Sequence, residues 1–196
     1  DRAHALTTGS DGSIYIAGDT QGDLDGQFNK GGYDYFISKF NSDGTKKWTK
    51  LLGTDAIFEI AYALTTGSDG SVYIAGFFEN ESDSGSDNQK NDAFLSKFNS
   101  DGVEEWKEVI SASAAEDIAY ALTTGSDGSI YIAGYTYGDL DGQTNNGGMD
   151  AFISKFGSDG IKIWTKLIGS SGNDLIRGLT TGSDGSIYIA GQTTGD

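Results

Sequence analysis

Cysteine and proline are both absent from the 196 residues, histidine occurs once, and basic residues are few. Without cysteine there are no disulfides, no thiolate metal sites and no cysteine nucleophile, although the compartment stays open. Without proline, and with thirty glycines, the turns depend on glycine's access to positive φ, and hairpins are the expected product. Thirteen Lys and Arg against twenty-nine Asp and Glu give a net charge of −16. That balance repels phosphate backbones and anionic lipid surfaces, which removes nucleic acid and membrane as default partners. No run approaches the roughly eighteen apolar residues of a membrane span, and Asp1-Arg2-Ala3-His4 does not resemble a signal peptide. Hydrophobic residues make up 36%, low for a compact globule but sufficient for many short strands. An acidic, cysteine-free chain rich in Gly, Ser, Asp and Asn is common among bacterial surface proteins, so a secreted or cell-surface location is the expectation.

What is present is repetition. Ala5-Leu6-Thr7-Thr8-Gly9-Ser10-Asp11-Gly12-Ser13-Ile14-Tyr15-Ile16-Ala17-Gly18 returns almost unchanged from Ala63, from Ala121 and from Gly178. Leu6, Leu64, Leu122 and Leu179 mark a step of 58, 58 and 57 residues, and Trp48, Trp106 and Trp164 keep a step of 58. A fixed period of this length signals a stacked or radial repeat architecture. The repeats run at about 1–58, 59–116 and 117–173, with a partial fourth at 174–196.

Each repeat divides into four short segments of β-branched and aromatic residues separated by turn chemistry. In the third these lie at about Ala119 to Thr124, Ser129 to Thr136, Asp150 to Phe156 and Ile161 to Ile168. Asp-Gly turns join the first pair and the last pair, so two hairpins form one four-stranded antiparallel sheet. Along Asp34 to Phe40, Phe36, Ser38 and Phe40 point one way and Tyr35, Ile37 and Lys39 the other, so both faces carry bulk. A small sheet cannot bury two faces alone; copies must stack, and the radial solution is an all-β β-propeller of four-stranded antiparallel blades, here three and half of a fourth. A parallel β-helix, the rival, has shorter rungs and does not need two hairpins per turn.

The residues also carry a resemblance. The segment Asp117-Ile118-Ala119-Tyr120-Ala121-Leu122-Thr123-Thr124-Gly125-Ser126-Asp127-Gly128 leads to Ile130-Tyr131-Ile132-Ala133-Gly134. After a Gly/Asn-rich loop come Asp150-Ala151-Phe152-Ile153-Ser154-Lys155-Phe156 and a tryptophan strand ending Leu167-Ile168-Gly169-Ser170-Ser171-Gly172-Asn173-Asp174. This pattern resembles the bacterial beta-propeller repeat family known as SBBP and, more loosely, NHL-type blades. The resemblance covers the whole chain. It implies a propeller in a secreted or surface-associated protein, and no shared catalytic residues.

Closed propellers use about four to eight blades, so three and a half imply either a piece of a longer chain or a homo-oligomer that closes the ring. The first is the expectation.

Three sets of carboxylates stand out. The loop after the second strand reads Asp23-Leu24-Asp25-Gly26-Gln27-Phe28-Asn29 in the first repeat and Asp139-Leu140-Asp141-Gly142-Gln143-Thr144-Asn145 in the third, and the second repeat offers Glu81, Asp83 and Asp87. Oxygen donors at the first, third and seventh positions suit calcium, so Asp23, Asp25, Asn29, Glu81, Asp83, Asp87, Asp139, Asp141 and Asn145 are candidate metal ligands. The competing reading is an acidic loop held by Asx turns, since an EF-hand would need further ligands. Asp1, Glu59, Asp117 and Asp174 recur ahead of the inner strand and are candidates to line the mouth of a central channel; the alternative is that they satisfy backbone amides. Asp34, Asp92 and Asp150 open the third strand and invite the same alternative. Asp11, Asp43, Asp69 and Asp127 read as turn formers.

Little in the sequence points to catalysis. His4 stands where Tyr62 and Tyr120 stand in other repeats, which marks a packing variant, and neither a Ser-His-Asp set nor a phosphate loop accompanies it. Trp48, Trp106, Trp164 and the strand tyrosines read as blade packing. The expected function is a non-catalytic structural or protein-interaction module, with calcium as a candidate stabilising cofactor and partners on an acidic loop face. The alternative is a multivalent lectin, with Phe28, Phe77, Phe78, Tyr135 and Tyr137 as candidate glycan contacts.

Overall fold

The computed structural model of the protein describes residues 1–79, 90–112 and 115–195. Among these, fourteen strands follow one another. The first blade comprises β1 (Arg2–Thr8), β2 (Ile14–Thr20), β3 (Asp34–Phe40) and β4 (Lys46–Leu52). The second comprises β5 (Glu59–Thr66), β6 (Val72–Glu79), β7 (Asn91–Phe98) and β8 (Glu104–Ile110). The third comprises β9 (Asp117–Thr124), β10 (Ile130–Thr136), β11 (Asp150–Phe156) and β12 (Lys162–Ile168), and β13 (Asp174–Thr181) with β14 (Ile187–Thr193) begins a fourth. Each sheet is antiparallel and keeps its strands in chain order. This is the architecture expected of propeller blades, and the strands expected in the third repeat fall within two residues of those observed.

The turns follow from their residues. Between β1 and β2, the Gly9 amide donates to the Ser13 carbonyl at 2.8 Å and Gly12 takes a φ of 79°. Asp11 closes the loop by accepting from the Ser13 amide at 2.9 Å and its hydroxyl at 2.8 Å. Asp69, Asp127 and Asp184 repeat that geometry, which supports their reading as turn formers.

Both faces of the second and third blades are buried against neighbours. Tyr15, Ala17, Tyr35 and Ile37 of the first blade pack on Leu64, Ile74, Phe94 and Phe98 of the second. Ala63, Tyr73, Ala75 and Leu95 of the second pack on Leu122, Ile132, Phe152 and Phe156 of the third. The first strand of each sheet lies against the first strand of the next. At its end one hydroxyl per blade crosses the gap: Thr66 donates to the Thr8 carbonyl at 3.1 Å, Thr124 to Thr66 at 3.1 Å, and Thr181 to Thr124 at 3.0 Å. The tryptophans sit half-buried against Tyr15, Tyr73 and Tyr131 with ring centroids 6.2, 6.0 and 6.1 Å apart. Lys39, Lys97 and Lys155 lie over the same tyrosine rings.

Candidate functional site

Each inner strand departs from regular pairing at one place. In β1, Ala3 pairs with Gly18 and Ala5 with Ala17, which leaves His4 as an extra residue. The same shift skips Tyr62 in β5, Tyr120 in β9 and Arg177 in β13. These are β-bulges, which re-aim a side chain out of the regular alternation. The opposing glycine makes the bulge possible: a Cβ on Gly18, Gly76, Gly134 or Gly191 would lie 1.8–2.0 Å from the carbonyl oxygen of Arg2, Ile60, Ile118 or Leu175. Sequence reasoning passed over this feature, although a lone glycine inside a strand pattern is its signal.

The four bulge residues form a row across the inner strands. The His4 ring meets the Tyr62 ring edge-on at 5.2 Å, Tyr62 stacks on Tyr120 at 5.0 Å, and the Arg177 guanidinium lies 4.8 Å from the centre of the Tyr120 ring. A second arginine, Arg2, covers Tyr33 at 5.6 Å. The residues beside the bulge vary as well. The His4 Nε2 lies 2.5 Å from Asp19 Oδ1, where Asp19 is buried, and the Tyr135 hydroxyl donates to Glu116. Burial pushes the Tyr62 and Tyr120 hydroxyls above the usual phenol range, while Arg177 pulls both down.

Of the four candidate channel-mouth carboxylates, Glu59, Asp117 and Asp174 are buried in the links between blades and Asp1 is exposed. Glu59 and Asp117 are 1% and 0% exposed. Glu59 accepts from the Thr54 amide at 2.5 Å, Asp117 from the Ala112 amide at 2.7 Å, and Asp174 from the Ser170 amide at 2.8 Å and its hydroxyl at 3.0 Å. Asp1 accepts from the Thr20 hydroxyl. The physical reason is local: the linking chain leaves amides that the next sheet cannot pair, and a carboxylate at the head of the strand reaches them. Burial raises the Glu59 carboxyl above its usual range and pushes Asp117 up to about 7, against the Thr136 hydroxyl and the Ala112 amide. Asp34 and Asp150 likewise cap the Lys30 and Asn146 amides, both at 2.9 Å.

In the acidic loops of the first and third blades the candidate ligands take partners within the fold. Leu24 and Gln27 exchange both backbone hydrogen bonds at 3.0 Å, with φ of 50° at Asp25 and 76° at Gly26, which is a type I′ turn. Asp25 then faces Lys46, Oδ1 to Nζ 2.5 Å, so the cation that it holds is an ammonium of the outer strand. Asp23 accepts from the Asn29 amide at 3.0 Å, and the Asn29 side chain donates to the Thr20 carbonyl at 3.2 Å. Asp139, Asp141 and Asn145 repeat the arrangement, with Lys162 at 2.6 Å from Asp141. Gln27 was passed over: its side chain donates to the Thr49 carbonyl at 2.8 Å and accepts from the Leu51 amide at 3.1 Å, so it covers backbone on the edge strand β4. Among the described residues no three acidic or histidine side chains gather as a metal site. Glu81, Asp83 and Asp87 lie outside the described residues.

Of the candidate glycan contacts, Phe77 and Tyr135 are buried, Phe78 is half-buried, and Phe28 and Tyr137 are exposed.

Comparison with known proteins gives two likenesses. Over 210 aligned residues the chain is 32% identical to the protein named Regulatory protein FlaEY of Caulobacter vibrioides (strain ATCC 19089 / CIP 103742 / CB 15), a match that takes in 94% of this chain and 21% of that protein. The chain therefore spans about a fifth of the length of this relative. Residues 163–196 match the SBBP family, described as Beta-propeller repeat. With three four-stranded antiparallel sheets and a fourth begun on the same plan, the chain is a run of β-propeller blades whose residues 163–196 carry the SBBP repeat.

Proposed function

We propose that this chain is a non-catalytic protein-interaction module of a larger secreted or cell-surface protein. One observation carries the reading: within near-identical copies, the residue that each bulge re-aims changes from His4 to Tyr62, Tyr120 and Arg177, while the glycine that permits the bulge does not change. A scaffold of this kind holds a row of variable side chains at fixed spacing, which suits recognition. Chemistry has less support, because the imidazole of His4 is engaged by Asp19 and by the edge of Tyr62. A regulatory role, which the name of the Caulobacter relative carries for that protein, is compatible with action by binding. The acidic composition, rich in Gly, Ser, Asp and Asn, suits a secreted or cell-surface setting.

The glycan-binding alternative has a specific weakness. Sugar rings stack on open aromatic faces, whereas Tyr62 stacks on Tyr120 and the half-buried tryptophans pack tilted against tyrosines.

The test is affinity capture from envelope extracts with the wild-type chain and with a chain carrying Tyr62→Thr, Tyr120→Thr and Arg177→Thr, together with a glycan array. A protein held by the first and lost by the second is the expected result. Glycan binding, or a protein held equally by both, overturns the reading.

A further inference from the structure

The chain contains two arginines and one histidine, and all three lie on the inner strands: Arg2 and His4 on β1, Arg177 on β13. That placement is unusual in a molecule with twenty-nine carboxylate side chains, because each surface arginine has many acidic groups to choose from. Yet among the described residues neither guanidinium makes an ion pair; Arg2 rests on Tyr33 and Arg177 on Tyr120. Among the described residues five of the eleven lysines behave differently: Lys39, Lys46, Lys97, Lys155 and Lys162 each lie within 4 Å of a carboxylate. Two cations held on aromatic faces, exposed and without an acidic partner, are prepared to receive one.

We propose that Arg177, with Tyr120, Tyr62 and Arg2, forms a recognition site for the carboxylate side chain of an acidic peptide segment. A guanidinium fork pairs a carboxylate with two parallel hydrogen bonds, and the flanking tyrosine hydroxyls supply a further donor edge. A peptide is the occupant because the tyrosine faces are closed by stacking, which leaves polar edges and no platform for a sugar ring. A polyanion such as nucleic acid is disfavoured by the net charge of −16, whereas one or two carboxylates brought to two local cations are not. The buried Asp19 faces His4, and Glu116 accepts from Tyr135, so the acidic groups nearest the row already have partners within the fold. This site rests on the protein-interaction reading and narrows it.

The two arginine side chains can be followed individually by the ¹⁵N signals of their Nε–H groups. The probe is the blocked tetrapeptide Gly-Glu-Glu-Gly, compared with Gly-Gln-Gln-Gly and with digalacturonate. A saturable shift of the Arg177 signal with the glutamate peptide is expected, with no response to the glutamine peptide, and about tenfold weaker binding for Arg177→Gln at an unchanged melting temperature. Absence of a shift, an equal response to the glutamine peptide, or a stronger response to digalacturonate overturns the proposal. The two readings fail separately: an envelope protein captured equally by wild type and Arg177→Gln, but lost with the threonine triple variant, overturns this site and leaves the interaction module standing.

Discussion

Ser111 Oγ donates to Asp92 Oδ1 at 2.7 Å. At the equivalent positions of the first and third blades stand Gly53 and Gly169, and there the buried Oδ1 atoms of Asp34 and Asp150 have no hydrogen-bond partner among the described residues. One hydroxyl thus distinguishes the middle blade. Ser111→Gly removes one donor from Asp92 and is expected to destabilise the chain by about 1 kcal/mol. In a molecule of this size that lowers the melting temperature by roughly 2–4 °C in a thermal scan. An unchanged midpoint would show that the bond contributes nothing net.

Two glycines of the third blade separate close approach from backbone strain. A Cβ on Gly134 would sit 1.8 Å from the Ile118 carbonyl oxygen, whereas Gly128 has φ of 78° and open space around it. Gly134→Ala must displace the bulge and is expected to lose about 3 kcal/mol. Gly128→Ala suffers only the left-handed backbone, about 1–2 kcal/mol. Urea unfolding of both variants checks the order, and a reversed order contradicts the role assigned to the bulge.

Asp117 makes stability depend on pH in a direction opposite to that of the turn aspartates. Its carboxyl is raised from 3.8 to about 7 by burial. At pH below about 4 it is protonated in both the folded and unfolded chain, and its contribution is fully present. As pH rises from there through 7 the unfolded chain gives up the proton first, and the contribution is lost. Asp11 and Asp127 are held low by the amides and hydroxyls of Ser13 and Ser129, so their contribution is present above the usual carboxylate range and lost on acidification. Asp117→Asn should therefore flatten the decline in urea midpoint between about pH 4 and 7. Parallel pH profiles for the two proteins would count against a proton held at Asp117.

Calcium supplies a test of the acidic loops. Asp25 is held low by the Lys46 side chain and by Thr49, and at Asp141 burial pushes the carboxyl up but Lys162 and Thr165 outweigh it and hold it low. Asp25→Asn and Asp141→Asn should each lower the melting temperature slightly, and by the same amount in EDTA and in millimolar calcium. A decrease found only in calcium would return these loops to the role of cation sites, because a ligand that binds the folded form stabilises it.

Much of the fold was legible because its signals are local. Asp-Gly turns, alternating strands and a fixed step of 58 residues each act within one repeat, and nothing remote alters them. The buried role of Glu59 and Asp117 was legible only as one of two options, since the residues ahead of a strand look alike whether they face water or an unpaired amide. The bulges left a trace in Gly18, Gly76, Gly134 and Gly191, but a glycine in a strand does not say which neighbour it admits.

Turn chemistry and strand alternation depend on residues a few positions apart, so the order of amino acids alone dictates that this protein repeats, that each repeat is two hairpins, and that both faces of the sheet demand cover. That Tyr62 stacks on Tyr120 with Arg177 beyond, that Lys46 answers Asp25, and that Asp117 lies out of water emerges only once the chain is folded. Asp25 and Lys46 lie 21 positions apart in one blade and meet because the loop folds back on the outer strand, whereas Tyr62, Tyr120 and Arg177 meet across steps of 58 and 57 positions that are set by how one blade is rotated against the next, which no single repeat contains.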